Sequence, residues 1–348
     1  MGEWKNCTLS SLGTIVGGAT PSTKKPENYE GGEIPWITPK DLSGFSGRYI
    51  SCGERNITEI GLKNCSAQMM PKHSVLFSSR APIGYVAISN CDVCTNQGFK
   101  SIVPNNDTDY LFLYYLLLYK KHEIENLGSG TTFKEVSAST MKGVEVRVPI
   151  DKREQERIAG ILSALDDKIE SNAHINENLE QQAQAYFQEL FVDNADPEWT
   201  TGTISDLGTV VGGSTPSKAK PEYYTETGIA WITPKDLSIN KSKFVSHGEN
   251  DITELGLKNS SAVIMPEGTV LFSSRAPIGY IAIAAGEVTT NQGFKSVVPK
   301  SEVGTPFVYF FLKNTLPVIE GMASGSTFKE VSGSTMKNVP VVIPDAER

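Results

Sequence analysis

The chain has 348 residues, with 32 Lys and Arg against 40 Asp and Glu and a formal net charge of −8; that length allows two domains of ordinary size, each with its own core. No run of about 18 or more apolar residues occurs, and the first ten residues lack a basic stretch followed by an apolar one, so no membrane span or secretory signal is expected and the cytoplasm is the default location. The acidity is uneven: residues 1–150 carry 15 Lys and Arg against 14 Asp and Glu, residues 151–197 carry 4 against 11, and residues 198–348 carry 13 against 15.

In chain order, residues 1–150 read as a mixed α/β domain. Its apolar segments are short and broken by Gly, Pro and Asn, so residues 74–77, 84–88 and 144–148 are expected as strands. One helix is expected over residues 110–124. The fold class is α/β of the α+β kind, with a twisted, mainly antiparallel sheet and long loops. Residues 151–197 differ in kind. Asp151 and Glu154, following Pro149, form a D-x-x-E capping box that predicts a helix start near Lys152. Ile158, Leu162, Leu165, Ile169, Asn172, Asn176, Leu179, Ala183, Tyr186 and Leu190 then keep strict 4-3 spacing, the seam of a coiled coil. Roughly 39 residues give a rod of roughly 58 Å, ended by Asp193-Asn194-Ala195-Asp196-Pro197. The apolar stripe calls for a partner helix, and the two seam Asn would fix its register. The plainer alternative is a helix packed on its own domains.

Residues 198–348 repeat the first domain. Trp36-Ile37-Thr38-Pro39-Lys40-Asp41-Leu42 returns as Trp231-Ile232-Thr233-Pro234-Lys235-Asp236-Leu237, an offset of 231 − 36 = 195. The same offset carries Gly17-Gly18 to Gly212-Gly213, SSRAPIGY at 78–85 to 273–280, TNQGFKS at 95–101 to 290–296, and TFKEVS at 132–137 to 327–332.

The repeat is an internal control on chemistry, because a site that serves the shared task should stand in both copies. The cysteines fail: Cys7, Cys52, Cys65, Cys91 and Cys94 face Gly202, His247, Ser260, Gly286 and Thr289. Cys91-x-x-Cys94 is therefore not read as half of a zinc site, and no metal is expected. His73, His122 and His247 have no histidine counterpart, and His174 lies on the rod; no general acid/base pair recurs. Asp41/Asp236, Glu59/Glu254 and Glu135/Glu330 recur singly, most of them beside a lysine, as ion pairs or turn caps. Phosphate-cradle and dinucleotide fingerprints are absent, so no cofactor and no catalytic residue is assigned.

What recurs is a set of polar, cationic and aromatic groups in loops. Thr38, Lys40, Arg80, Tyr85, Asn96, Gln97, Lys100 and Lys134 return as Thr233, Lys235, Arg275, Tyr280, Asn291, Gln292, Lys295 and Lys329. Arg and Lys suit guanine edges or phosphates, and Asn or Gln suits adenine. These sixteen are the candidate DNA contacts, with Lys40, Arg80 and Lys100 and their counterparts foremost. For Asn96-Gln97 a loop-bracing role is an equal reading.

Over its entire length the chain resembles the DNA-specificity subunits of type I restriction-modification systems. The Gly-rich T-P-S segments at 17–22 and 212–217 carry the resemblance, with W-x-x-x-x-D-L at 36–42 and 231–237 and T-N-Q-G-F at 95–99 and 290–294. The strand at 146–149 running into Glu154-Gln155-Glu156-Arg157-Ile158 completes it. The resemblance implies two target-recognition domains, 1–150 and 198–348, joined by a spacer helix at 151–197. It implies a subunit with no enzymatic activity, seated between methyltransferase subunits that bind S-adenosylmethionine and joined in some complexes by nuclease subunits. Each domain would read one half of an interrupted double-stranded DNA site. Family members carry a second spacer helix, antiparallel to the first; this sequence ends at Pro344-Asp345-Ala346-Glu347-Arg348, where that helix would begin, so truncation or a helix supplied by another molecule, with self-association through the seam, is expected. Shared loop blocks predict a near-palindromic site, with asymmetry arising from residues 43–56 against 238–251 and 105–127 against 300–322. The rival reading is a tandem protein- or carbohydrate-binding module; a self-contained methyltransferase is disfavoured because no Asn-Pro-Pro-aromatic motif occurs.

Overall fold

A computed structural model describes residues 2–130, 134–325 and 329–344. Contacts divide the chain into two units, Met1–Ala173 and His174–Arg348. The division falls inside the linking helix because each half of that helix packs on its own unit.

In the first unit a five-stranded sheet runs in the order Gly13–Gly17, Lys100–Pro104, Val75–Ser79, Ile83–Ser89, Tyr49–Ile50, antiparallel except for the last, parallel pair. The central strand Val75–Ser79 is buried throughout, which explains its unbroken apolar run: both faces of the sheet are covered. Val75, Phe77, Ile88 and Ile102 pack with Leu113 and Leu117 of the helix Tyr110–Asn126. Leu76, Ala87 and Phe99 point the other way, against Val16, Ile37 and Leu42, as strand alternation requires. A three-stranded sheet (Arg55–Ile57, Ile34–Ile37, Cys94–Thr95) and the pair Trp4–Thr8 with Glu145–Pro149 complete the unit. The expected strands are present, shifted by a residue or two, and the mainly antiparallel sheet is divided among three.

The second unit repeats this plan. Its five-stranded sheet is Gly208–Gly212, Lys295–Pro299, Val270–Ser274, Ile278–Ala284, Phe244–Val245, every strand 195 residues after its counterpart. Thr305–Gly321 takes the place of Tyr110–Asn126 and packs Val308 and Leu312 against Val270, Phe272 and Val297.

The linking helix spans Lys152–Gln188 and ends in a wider turn, Glu189–Asp193. Its start is where Asp151 placed it, but the capping box is not formed as expected. Asp151 Oδ1 accepts from the Arg153 amide at 3.0 Å, while the Glu154 carboxylate turns to Arg157 at 2.7 and 2.8 Å. A guanidinium one turn away offers two charge-assisted bonds where the backbone offers one. Of the predicted seam, Ile158 packs against the first unit's core and Ala183 against the second's. Leu162, Leu165, Ile169, Asn172, Asn176, Leu179, Tyr186 and Leu190 are exposed, Ile169 the most among the seam's apolar residues at 65 %. Residues 345–348, where the second spacer helix was expected to begin, lie outside the described residues.

Candidate nucleic-acid interface

Three sequence blocks that lie far apart in the first copy meet in one layer of loops. The Trp36 indole donates to Ala19 O at 3.0 Å, Ala19 N donates to Thr95 O at 2.9 Å, and Asn96 N donates to Ile37 O at 3.0 Å. The Gly-rich segment, the tryptophan strand and the T-N-Q-G loop therefore brace one another. Gly18 lies so close to the Thr95 and Asn96 carbonyls that a Cβ there would collide with backbone, which is why glycine stands at this position. Thr20 Oγ1 donates to Gln97 Oε1, and Asn96 Oδ1 accepts from Gly98 N at 2.8 Å. Ser79 N then bonds Gly98 O at 2.7 Å and Val136 N bonds Ser79 O at 2.9 Å, joining the remaining repeated blocks to the layer. In the second unit Trp231 to Ser214, Ser214 to Thr290, Asn291 to Ile232, Thr215 to Gln292, Gly293 to Asn291 and Ser274 to Gly293 repeat the pattern, donor first.

Each candidate can be placed on this layer. Asn96 and Asn291 use their amide oxygens on their own loops, and Gln97 and Gln292 use theirs on Thr20 and Thr215 of the Gly-rich segments, so bracing occupies half of each amide. Thr38 and Thr233 open short helical turns, where the hydroxyl and amide of each donate to Asp41 or Asp236 at 2.6 and 2.7 Å. Lys40 and Lys235 pair at 2.6 Å with Glu54 and Glu249 and are well exposed. Arg80 and Lys100 converge on Glu135, at 3.6 and 3.1 Å, and Arg275 and Lys295 on Glu330, at 3.5 and 3.6 Å. Tyr85 and Tyr280 are half-buried against the sheet. Lys134 and Lys329 are exposed; the residues just before them, 131–133 and 326–328, lie outside the described residues. The repeated carboxylates thus serve as caps and ion-pair centres, but with partners other than their sequence neighbours. Asp41 caps Thr38 and accepts from Glu54 N at 2.7 Å, and Glu135 binds the cations of two strands rather than Lys134.

All five cysteines are free. Cys94 is buried, which pushes its thiol up to about 12, and Cys91 donates to Ser51 O at 3.1 Å. Among the described residues no group of three His, Cys, Asp or Glu is placed to hold a metal ion, and no helix is long and apolar enough to cross a membrane.

Sequence reasoning missed the residues that hold the linking helix. Arg48, 7 % exposed, donates from Nη1 to Ser163 Oγ at 2.7 Å, from Nη2 to Asp167 Oδ1 and from Nε to Glu170 Oε1 at 3.3 Å, while Tyr115 OH donates to Asp166 at 2.7 Å. Burial works against the charge on Arg48, yet its hydrogen bonds to Asp167, Tyr115 and Glu170 leave its pKa raised. In the second unit Lys243 and Lys313 donate to Glu180 at 2.6 and 2.7 Å, and Lys243 also lies over the Tyr309 ring at 4.5 Å. A signal was available: Arg48 and Lys243 are 195 apart, and theirs is the one position in residues 43–56 and 238–251 with a cation in both copies.

Two copies of one loop-braced α/β fold, each fastened to its own stretch of a shared helix, define a tandem recognition protein with a duplicated polar face. The chain belongs to the family of the type I restriction modification DNA specificity domain, whose model matches residues 1–181 and 197–348. It is 33 % identical over 370 residues to the type I restriction enzyme MjaIX specificity subunit of Methanocaldococcus jannaschii, covering 98 % of this chain and 83 % of that one. To the HindI specificity subunit of Haemophilus influenzae it is 21 % identical over 100 % of this chain and 91 % of that one. The crystal structure of a type I restriction-modification system S subunit from M. genitalium shares the fold, with a TM-score of 0.57 at 20 % identity over 98 % of this chain and 84 % of that one. The protein- or carbohydrate-binding alternative has no support in these likenesses.

Proposed function

We propose that this chain is the DNA-reading specificity subunit of a type I restriction-modification complex, non-catalytic itself, in which each recognition domain reads one half of an interrupted site. The observation that carries this reading is the braced loop layer, which presents the same cations and amides in both units of a chain from this family. The domains assigned to reading are 1–150 and 198–348, with 151–197 as spacer. Arg80 with Lys100, and Arg275 with Lys295, are the best base-reading candidates. Held on one carboxylate, they stay oriented yet can exchange it for a base edge or phosphate. Lys40, Lys134, Lys235 and Lys329, all exposed, are the candidates for phosphate contact.

Methyltransferase subunits supply the chemistry and most phosphate contacts, and nuclease subunits join the same complex in the cytoplasm. The exposed stripe Leu162, Leu165, Ile169, Leu179, Tyr186 and Leu190 supports association with another helix, including that of a second copy. A gel shift of the chain with its methyltransferase subunit against randomised duplexes, across a salt series, tests the reading. Enrichment of one bipartite sequence is expected; binding without sequence enrichment would overturn it.

A further inference from the structure

We infer that Arg48 in the first unit, and Lys243 with Lys313 in the second, are positioning residues for site spacing: by fixing the residue register in which each recognition domain grips the linking helix, they fix the number of unread base pairs between the half-sites. This role rests on the DNA-reading function proposed above.

Arg48 and Lys243 are themselves held in place. The Arg48 carbonyl accepts from Ile88 N at 2.8 Å and the Lys243 carbonyl from Ile283 N at 2.7 Å, so each stands at the edge of its five-stranded sheet with a fixed backbone. Ser163, Asp167 and Glu170 lie at i, i+4 and i+7, on one face of the helix, and together take all three directions of the guanidinium fork. Arg is suited to this because its fork is rigid.

A slip of one residue along a helix turns it by about 100° and advances it by about 1.5 Å. One residue onward, Arg48 would face Ala164, Lys168 and Ser171, with a like charge at the centre. One residue back, it would face Leu162, Asp166 and Ile169, and Asp166 is already taken by Tyr115. Glu180 lies between Leu179 and Gln181, neither of which can anchor two ammonium groups. A one-residue slip in either direction therefore leaves each clamp unsatisfied. A base pair added to the DNA spacer rotates one half-site by about 34° and moves it by about 3.4 Å, so a reader whose domains are locked in register should discriminate single-base-pair changes.

The test is methylation of a plasmid panel in cells that carry the chain and its methyltransferase subunit. The panel presents the half-sites, taken from the wild-type methylome, at spacer lengths stepped by one base pair. Wild type is expected to favour one length over its neighbours by at least about tenfold; R48M, and separately K243M with K313M, should lose about tenfold of that preference while the half-site bases stay the same, the scale of losing hydrogen bonds to a charged group. D167N with E170Q, which keeps the helix and the packing, should shift the profile in the same direction. A clamp that only stabilises the fold would lower the melting temperature and leave the profile alone. An unchanged profile in R48M overturns the inference, as does loss of all methylation in R48M together with wild-type spacing in D167N with E170Q. A wild-type chain that directs methylation to no bipartite site would instead overturn the DNA-reading function, and the spacing role with it.

Discussion

Asp41 and Asp236 each accept three hydrogen bonds, two from the threonine that opens the turn and one from the Glu54 or Glu249 amide across the loop. Replacing either with Ala removes a cap and strands a backbone amide, so each single variant should lose about 1–2 kcal/mol of stability, read from thermal or urea unfolding. Arg80 and Arg275 stand differently, each partly exposed and held by one long ion pair. Arg80→Ala should lower affinity for the cognate site by about 1–3 kcal/mol and relax one position of one half-site, whereas Lys134→Ala should weaken all sequences alike. Competition binding against a duplex set substituted one position at a time distinguishes the two outcomes. The residue types were legible in the sequence because the repeat filters them. The partners were not: Glu135 lies 55 residues from Arg80 and 35 from Lys100 along the chain, and only the folded sheet makes them neighbours. Asn96 and Gln97 are the clearest case of the ambiguity, since their amides suit adenine and serve as braces with the same atoms.

The linking helix was the most legible element, because 4-3 spacing over ten positions and a defined start leave few alternatives. Its ends were harder to read. Ile158 and Ala183 fit the seam by spacing but turn toward the cores, because the nearest apolar surface at each end is the helix's own unit. Two predictions belong here. Leu165 and Leu179, 59 % and 57 % exposed, should carry association, and replacing both with Asp should reduce the mass seen by light scattering at unchanged helicity. The second concerns acid. Burial pushes the Glu180 carboxyl up, but hydrogen bonds from Lys243, Lys313 and Tyr309 outweigh it and hold the group below the usual carboxylate range. A depressed folded-state pKa stabilises the protein above the unfolded value, and that contribution is lost as pH falls through the folded value. Unfolding should therefore become easier as pH falls below the ordinary glutamate value of about 4.3, with a shallower slope in Glu180→Gln.

For the molecule as a whole, the repeat offset survives folding in every strand of the two five-stranded sheets, and the segments that differ between copies acquire a second explanation. Residues 43–56 and 105–127 hold Arg48 and Tyr115, and residues 238–251 and 300–322 hold Lys243, Tyr309 and Lys313. These side chains meet stretches of the linking helix that have different sequences, so at least part of the divergence serves packing, while the braced loop blocks stay alike. The near-neutral units and acidic spacer should make unaided DNA binding weak, and the methyltransferase subunit should raise affinity and steepen the salt dependence together. If two like domains read two like half-sites, the half-site centres should stand on the order of one helical turn, about 34 Å, apart. Methylation-sensitive sequencing of the host genome, with and without this chain, puts that symmetry to the test. One chain-dependent motif is expected, its halves carrying the same bases on opposite strands around an unread spacer; a motif with unrelated halves would contradict it.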